Sequence, residues 1–126
     1  PKQIAFPTDF KTNLSPEQLK PLRAILKLHH SKVRILHINE EKGLSQDQEQ
    51  NFKNLKSNLK DVDHSFHWMP EYSSKDHAIK EFIEELSIDM LAMESHKKSF
   101  LERLANKPVI KKIGFKPVVP FLVLAT

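Results

Sequence analysis

Short apolar runs alternate with capped amphipathic segments along this sequence, and that alternation restricts the fold more than any other feature. Ile4-Ala5-Phe6, Val33-Arg34-Ile35-Leu36-His37-Ile38, Ile88 to Met93 and Phe121-Leu122-Val123-Leu124 are nearly continuous apolar runs. Such runs suit strands buried on both faces of a sheet. Val62 to Met69 instead alternates, with Val62, His64, Phe66 and Trp68 on one side, which suits a strand near a sheet edge. Between the runs lie helix signals. Ser15 with Gln18, and Ser45 with Gln48, have the spacing of capping boxes, in which the hydroxyl takes the amide three residues on and the glutamine returns to the cap amide. Leu14 is placed to staple against Leu19, ahead of a stripe of Leu19, Leu22, Ile25 and Leu26. Pro21 moves the expected start of that helix toward itself, because an interior proline removes a hydrogen bond and crowds the preceding turn. Phe52, Leu55 and Leu59 mark a second helix; Ser74 caps a third with Ile79, Phe82, Ile83 and Leu86; Pro108 opens a fourth, stopped by Gly114. The pattern predicts an α/β fold: five parallel strands near residues 2–7, 32–38, 62–69, 88–94 and 120–125, with four helices on two faces.

With 126 residues the chain suits one domain over 1–126. It starts at Pro1 and not at an initiator methionine, so the expectation is a piece of a longer protein, a tandem arrangement being one option. The absence of cysteine excludes disulfides, thiolate metal sites and a cysteine nucleophile, and fits a reducing compartment, with cytoplasm the expectation. No apolar run reaches membrane-spanning length, so no membrane partner is expected. A net charge of +4 comes from 20 Lys and Arg against 16 Asp and Glu, spread over helix surfaces. No basic patch is interleaved with aromatics, and no nucleic-acid partner is expected.

In a parallel sheet of this kind ligands bind beyond the carboxyl ends of the strands, which singles out Asp9 and the loop from Glu94 to Phe100. A phosphate-binding loop needs glycines, which allow positive backbone dihedrals and close approach of amides to the anion. Gly43 and Gly114 are the only glycines, and neither lies in this loop. Glu94 adds negative charge there, while Lys97, Lys98 and Lys107 oppose it. His64 and His67 fall on opposite faces of a strand, and His29 and His30 diverge, so no metal site is expected. Ser95 beside His96 supplies a nucleophile and a base by type only, and catalysis is not expected. Trp68 and Met69 are expected to pack against a helix and not to line a pocket.

Pro7-Thr8-Asp9-Phe10, Leu36-His37-Ile38, Met93-Glu94-Ser95 with Leu101-Glu102-Arg103-Leu104, and Pro120-Phe121-Leu122-Val123-Leu124 together resemble the universal stress protein family over nearly the whole chain. The resemblance implies strand order 3-2-1-4-5, a flavodoxin-like doubly wound sheet, and in some members an ATP site. ATP-binding members carry a glycine, two residues, a glycine, nine residues, then a glycine followed by Ser or Thr. Here those positions fall on Glu94, Lys97, Lys107 and Pro108, while Asp9 matches the acidic residue after the first strand. The expectation is therefore a stress-associated regulatory or dimerising module without ATP, cofactor or catalysis. Its partner would be a second copy or a tandem neighbour, docked through Phe121, Leu122, Val123 and Leu124, and a protein whose identity the sequence does not give. The alternative is a diverged adenine-nucleotide-binding member that still uses Asp9.

Overall fold

The computed structural model describes residues 1–38, 43–69, 87–97 and 120–126. The elements are β1 (Gln3–Pro7), α1 (Pro16–His29), β2 (Lys32–Ile38), α2 (Gln46–Asn58), β3 (His64–Met69), β4 (Met90–Glu94), a 3-10 turn (Ser95–Lys97) and β5 (Phe121–Leu124). The five strands form one sheet in the order β3-β2-β1-β4-β5, every pair parallel. The expected sheet and its order are both present. The third and fourth expected helices, after Ser74 and after Pro108, lie outside the described residues.

Both capping boxes form. The Ser15 and Ser45 hydroxyls accept from the Gln18 and Gln48 amides, and each glutamine side chain accepts from its cap amide. Leu14 and Leu19 are both buried in the same apolar cluster, as a staple requires. Pro21 does not set the start of α1, which begins at Pro16 and contains Pro21 as its sixth residue. The capping box and staple have already fixed the first turn there. The only intrahelical acceptor that Pro21 deprives is the carbonyl of solvent-exposed Glu17, which water can satisfy. The helix ends at His30, in the left-handed region at φ 52°, where Ser31 donates its amide back to the Leu26 carbonyl. His30 is thus the cap and not a helical residue beside His29. The strand expected from Val62 begins two residues later, because the Val62 amide closes the α2 exit turn onto Leu59.

Strand register assigns the two faces. Ile4 and Phe6 lie beside Val33 and Ile35, which lie beside His64 and Phe66; on the other side Ala92 lies beside Leu122. This face packs against Leu19, Leu22 and Leu26 of α1 and against Leu55 and Leu59 at the end of α2. Each such buried leucine contributes about 1.5–3 kcal/mol of transfer free energy. On the opposite face Ala5, Leu36, Leu91 and Met93 are also buried, so the centre of the sheet is covered on both sides. The near-continuous apolar runs are the sequence form of that double burial. β3 and β5 are the edges, and no helix among the described residues is long and apolar enough to cross a membrane.

Candidate functional site

From β1 the chain moves through α1 to β2 on one side, while β4 and β5 lie on the other. The direction of winding reverses between β1 and β4, which makes the carboxyl ends of these two strands the switch-point crevice. Thr8 and Asp9 leave β1 there, and Glu94 ends β4. The Thr8 hydroxyl donates to Glu94 Oε2 at 3.3 Å, joining the two lips of the crevice. Glu94 is 0% exposed. Its carboxylate therefore turns into the crevice and not outward as a surface charge.

The turn after β1 is fixed from several directions. Thr8 Oγ1 accepts the Phe10 amide, and Asp9 Oδ1 accepts the Lys11 amide at 3.0 Å, a local side-chain turn that holds the Asp9 carboxylate against its own backbone. Phe10 has φ 60°, a left-handed conformation that a bulky residue adopts only when its surroundings impose it. Those surroundings come from α2. Gln48 Nε2 donates to the Asp9 carbonyl at 2.8 Å, and Asn51 Nδ2 donates to the Phe10 carbonyl at 2.8 Å. Gln48 thus caps its own helix with its oxygen and holds the β1 exit with its nitrogen. The Phe10 ring drops into the core against Phe52, with centroids 5.4 Å apart, and against His37 at 5.1 Å. His37 is buried and its Nδ1 lies 3.1 Å from the Thr8 carbonyl. A carbonyl only accepts, so the proton sits on Nδ1. Trp68 closes this aromatic group, 5.1 Å from His37 and 5.5 Å from Phe52, yet remains 43% exposed. Packing against a helix, the expected use of Trp68, is what the structure has.

A second polar group lies at the ends of β4 and β5. His96 Nδ1 lies 2.8 Å from Thr126 Oγ1, and its Nε2 lies 3.9 Å from Glu94 Oε2. The His96 amide also points to Thr126 Oγ1 at 3.3 Å, and the Thr126 amide donates to Ser95 Oγ at 2.9 Å. Sequence reasoning missed Thr126 because it lies 30 residues from His96, brought there only by the β4–β5 pairing.

Of the positions singled out in the sequence, Asp9 lies in the turn that leaves β1 and Glu94 ends the adjacent β4, both at the switch point. The Lys97 backbone belongs to the 3-10 turn after Glu94, and Lys107 and Pro108 lie outside the described residues. His64 and His67 take opposite faces as expected; His67 Nε2 lies 2.7 Å from Ser65 Oγ. Burial pushes the His67 imidazole below its usual range, and the nearby charges of Arg34 and Lys32 push the same way. Among the described residues, no three or more His, Asp and Glu side chains gather as a metal site would need.

No protein-family model matches the sequence, and no curated protein sequence matches it. Solved structures do. A universal stress protein from Archaeoglobus fulgidus in complex with dAMP aligns with a TM-score of 0.60 at 12% identity, over 98% of this chain and 98% of that one. A universal stress protein in complex with cAMP aligns with a TM-score of 0.62 at 13% identity, over 99% and 97%. A protein from the same family from Burkholderia pseudomallei gives 0.62 at 12% identity, over 98% and 95%. Along nearly its whole length, then, this chain has the fold of the universal stress proteins.

Proposed function

We propose that the chain is a universal-stress-protein-type regulatory module that acts by association and does not hold ATP. The observation that carries this reading is the Thr8–Glu94 bridge across the switch-point crevice, with the Glu94 carboxylate fully buried. A carboxylate in that position meets a polyphosphate with like charge at low dielectric, where repulsion is least screened. It also takes up the space that a glycine leaves open in the family pattern, and no glycine elsewhere in the sequence from Glu94 to Pro108 supplies the missing backbone freedom. Pro108, at the pattern's hydroxyl position, brings neither a hydroxyl nor an amide donor.

Association is assigned to β5. It is a sheet edge among the described residues, and its Val123 is 49% exposed, so an apolar side chain stands out from an edge strand. A second copy paired about a two-fold axis covers it, as does a neighbouring domain in a tandem protein.

One observation favours the alternative, a diverged nucleotide-binding member. Asp9 follows β1 in a turn fixed by Lys11 and Gln48, and two of the aligned structures are complexes with dAMP and cAMP. Titration calorimetry with ATP and magnesium at physiological salt separates the readings. Saturable, adenine-selective binding lost in Asp9→Ala supports the alternative; no binding supports association.

A further inference from the structure

We infer that the carboxyl ends of β4 and β5 carry a hydrolytic site for small activated esters, in which His96 activates the Thr126 hydroxyl and Glu94 orients the imidazole. This goes beyond the association reading and rests on a different set of contacts. A nucleophile, a base within hydrogen-bond reach and a third group that orients the base are the parts that covalent catalysis by a hydroxyl requires. The first two stand within hydrogen-bond reach, Thr126 Oγ1 being 2.8 Å from His96 Nδ1, while Glu94 Oε2 stands 3.9 Å from His96 Nε2, at ion-pair distance and outside a hydrogen bond.

The carboxylate decides the tautomer. Facing Nε2, it favours the proton there and leaves Nδ1 as the acceptor for the Thr126 hydroxyl. Because Glu94 is buried and held by Thr8, its field on the imidazole is weakly screened and favours positive charge on His96. Ser95 Oγ, 3.1 Å from Thr126 Oγ1, and the His96 amide hold the threonine rotamer in place. His96 and Thr126 are both solvent-exposed, so an ester reaches them from bulk water.

Thr126 Oγ1 attacks the acyl carbon and His96 Nδ1 takes the hydroxyl proton. The carbon–oxygen bond to the leaving alcohol breaks, and His96 returns the proton to that oxygen. Water then gives a proton to His96 and bonds to the acyl carbon, the bond from that carbon to Thr126 Oγ1 breaks, and His96 returns the proton to Thr126 Oγ1 as the acid leaves.

The test uses a fluorophosphonate probe, in which Thr126 Oγ1 bonds to phosphorus as fluoride leaves, together with 4-nitrophenyl acetate. Peptide mapping is expected to find one probe per chain on Thr126. A burst of one equivalent of nitrophenol is expected to match it. Thr126→Val and His96→Asn, both at exposed positions, are expected to lower the labelling rate by about 100-fold or more while melting as the parent does. Ser65→Ala is expected to label as the parent does. Absence of label, label scattered as in urea-unfolded protein, or undiminished labelling in His96→Asn would overturn the inference.

Discussion

Thr8 and Glu94, 86 residues apart in the chain, meet through a hydrogen bond of 3.3 Å across the crevice between β1 and β4. The contact exists because the parallel register sets Ile4 beside Met90 and Ala5 beside Leu91, carrying the ends of both strands to the same level. A buried carboxylate depends on such donors, since desolvation without hydrogen bonds costs more than folding can spare. Thr8→Val, which keeps the shape and removes both the donor to Glu94 and the acceptor of the Phe10 amide, is expected to destabilise the protein by roughly 1–3 kcal/mol, read by urea denaturation. An unchanged midpoint would show that this hydrogen bond carries none of the burial of Glu94.

The α1–α2 contact gives a pH-dependent prediction. Arg23 grips Asp61 through both guanidinium nitrogens, at 2.7 and 2.6 Å, and Lys27 adds a contact at 3.3 Å. The hydrogen bond from Arg23 holds the Asp61 carboxyl well below the usual carboxylate range. A carboxyl that is more acidic in the folded state contributes stability above its unfolded pKa of about 3.9 and loses it as pH falls toward the folded value. The stability difference between the parent and Asp61→Asn is therefore expected to be constant from pH 7 to about 5 and to shrink below about 4. Asp61 is half exposed, so the difference is expected to be small and to weaken in salt.

The strands and their caps were legible in the sequence because each depends on neighbours along the chain. Ser15 needs only Gln18 three residues on, and Ile4 to Phe6 needs only its own apolar run. Contacts made by pairing were not legible. Glu94 reads in sequence as a charge beside a phosphate path, whereas the fold turns it inward onto Thr8. Gln48 reads as half of a capping box, and its second bond, to the Asp9 carbonyl, requires α2 to lie over the end of β1. Thr126 carries no signal in sequence, because its partners Ser95 and His96 come from another strand end. Pro21 misled in the other direction: local propensity argued against a helix through it, and the capping box, staple and buried leucine stripe outweighed that cost.

Association through β5 predicts a concentration-dependent species. Val123 lies beside Met93 in the sheet register and is half exposed on the edge strand. Val123→Lys puts a charge on that edge and is expected to move the sedimentation coefficient toward the monomer value, with the melting curve little changed. A parent protein that stays monomeric at high concentration would contradict the assignment of this edge.

On the reading proposed above, the switch-point crevice, bridged by Thr8 and Glu94, does not accept ATP. The most direct measurement is titration calorimetry of the whole chain with ATP and magnesium at physiological salt. On this reading no saturable heat is expected, or only weak heats that vanish with added salt and do not distinguish ATP from GTP, as from exposed lysines attracting any anion. Saturable, adenine-selective binding with a dissociation constant near about 1 μM, or about −8 kcal/mol, abolished by Asp9→Ala, would contradict it.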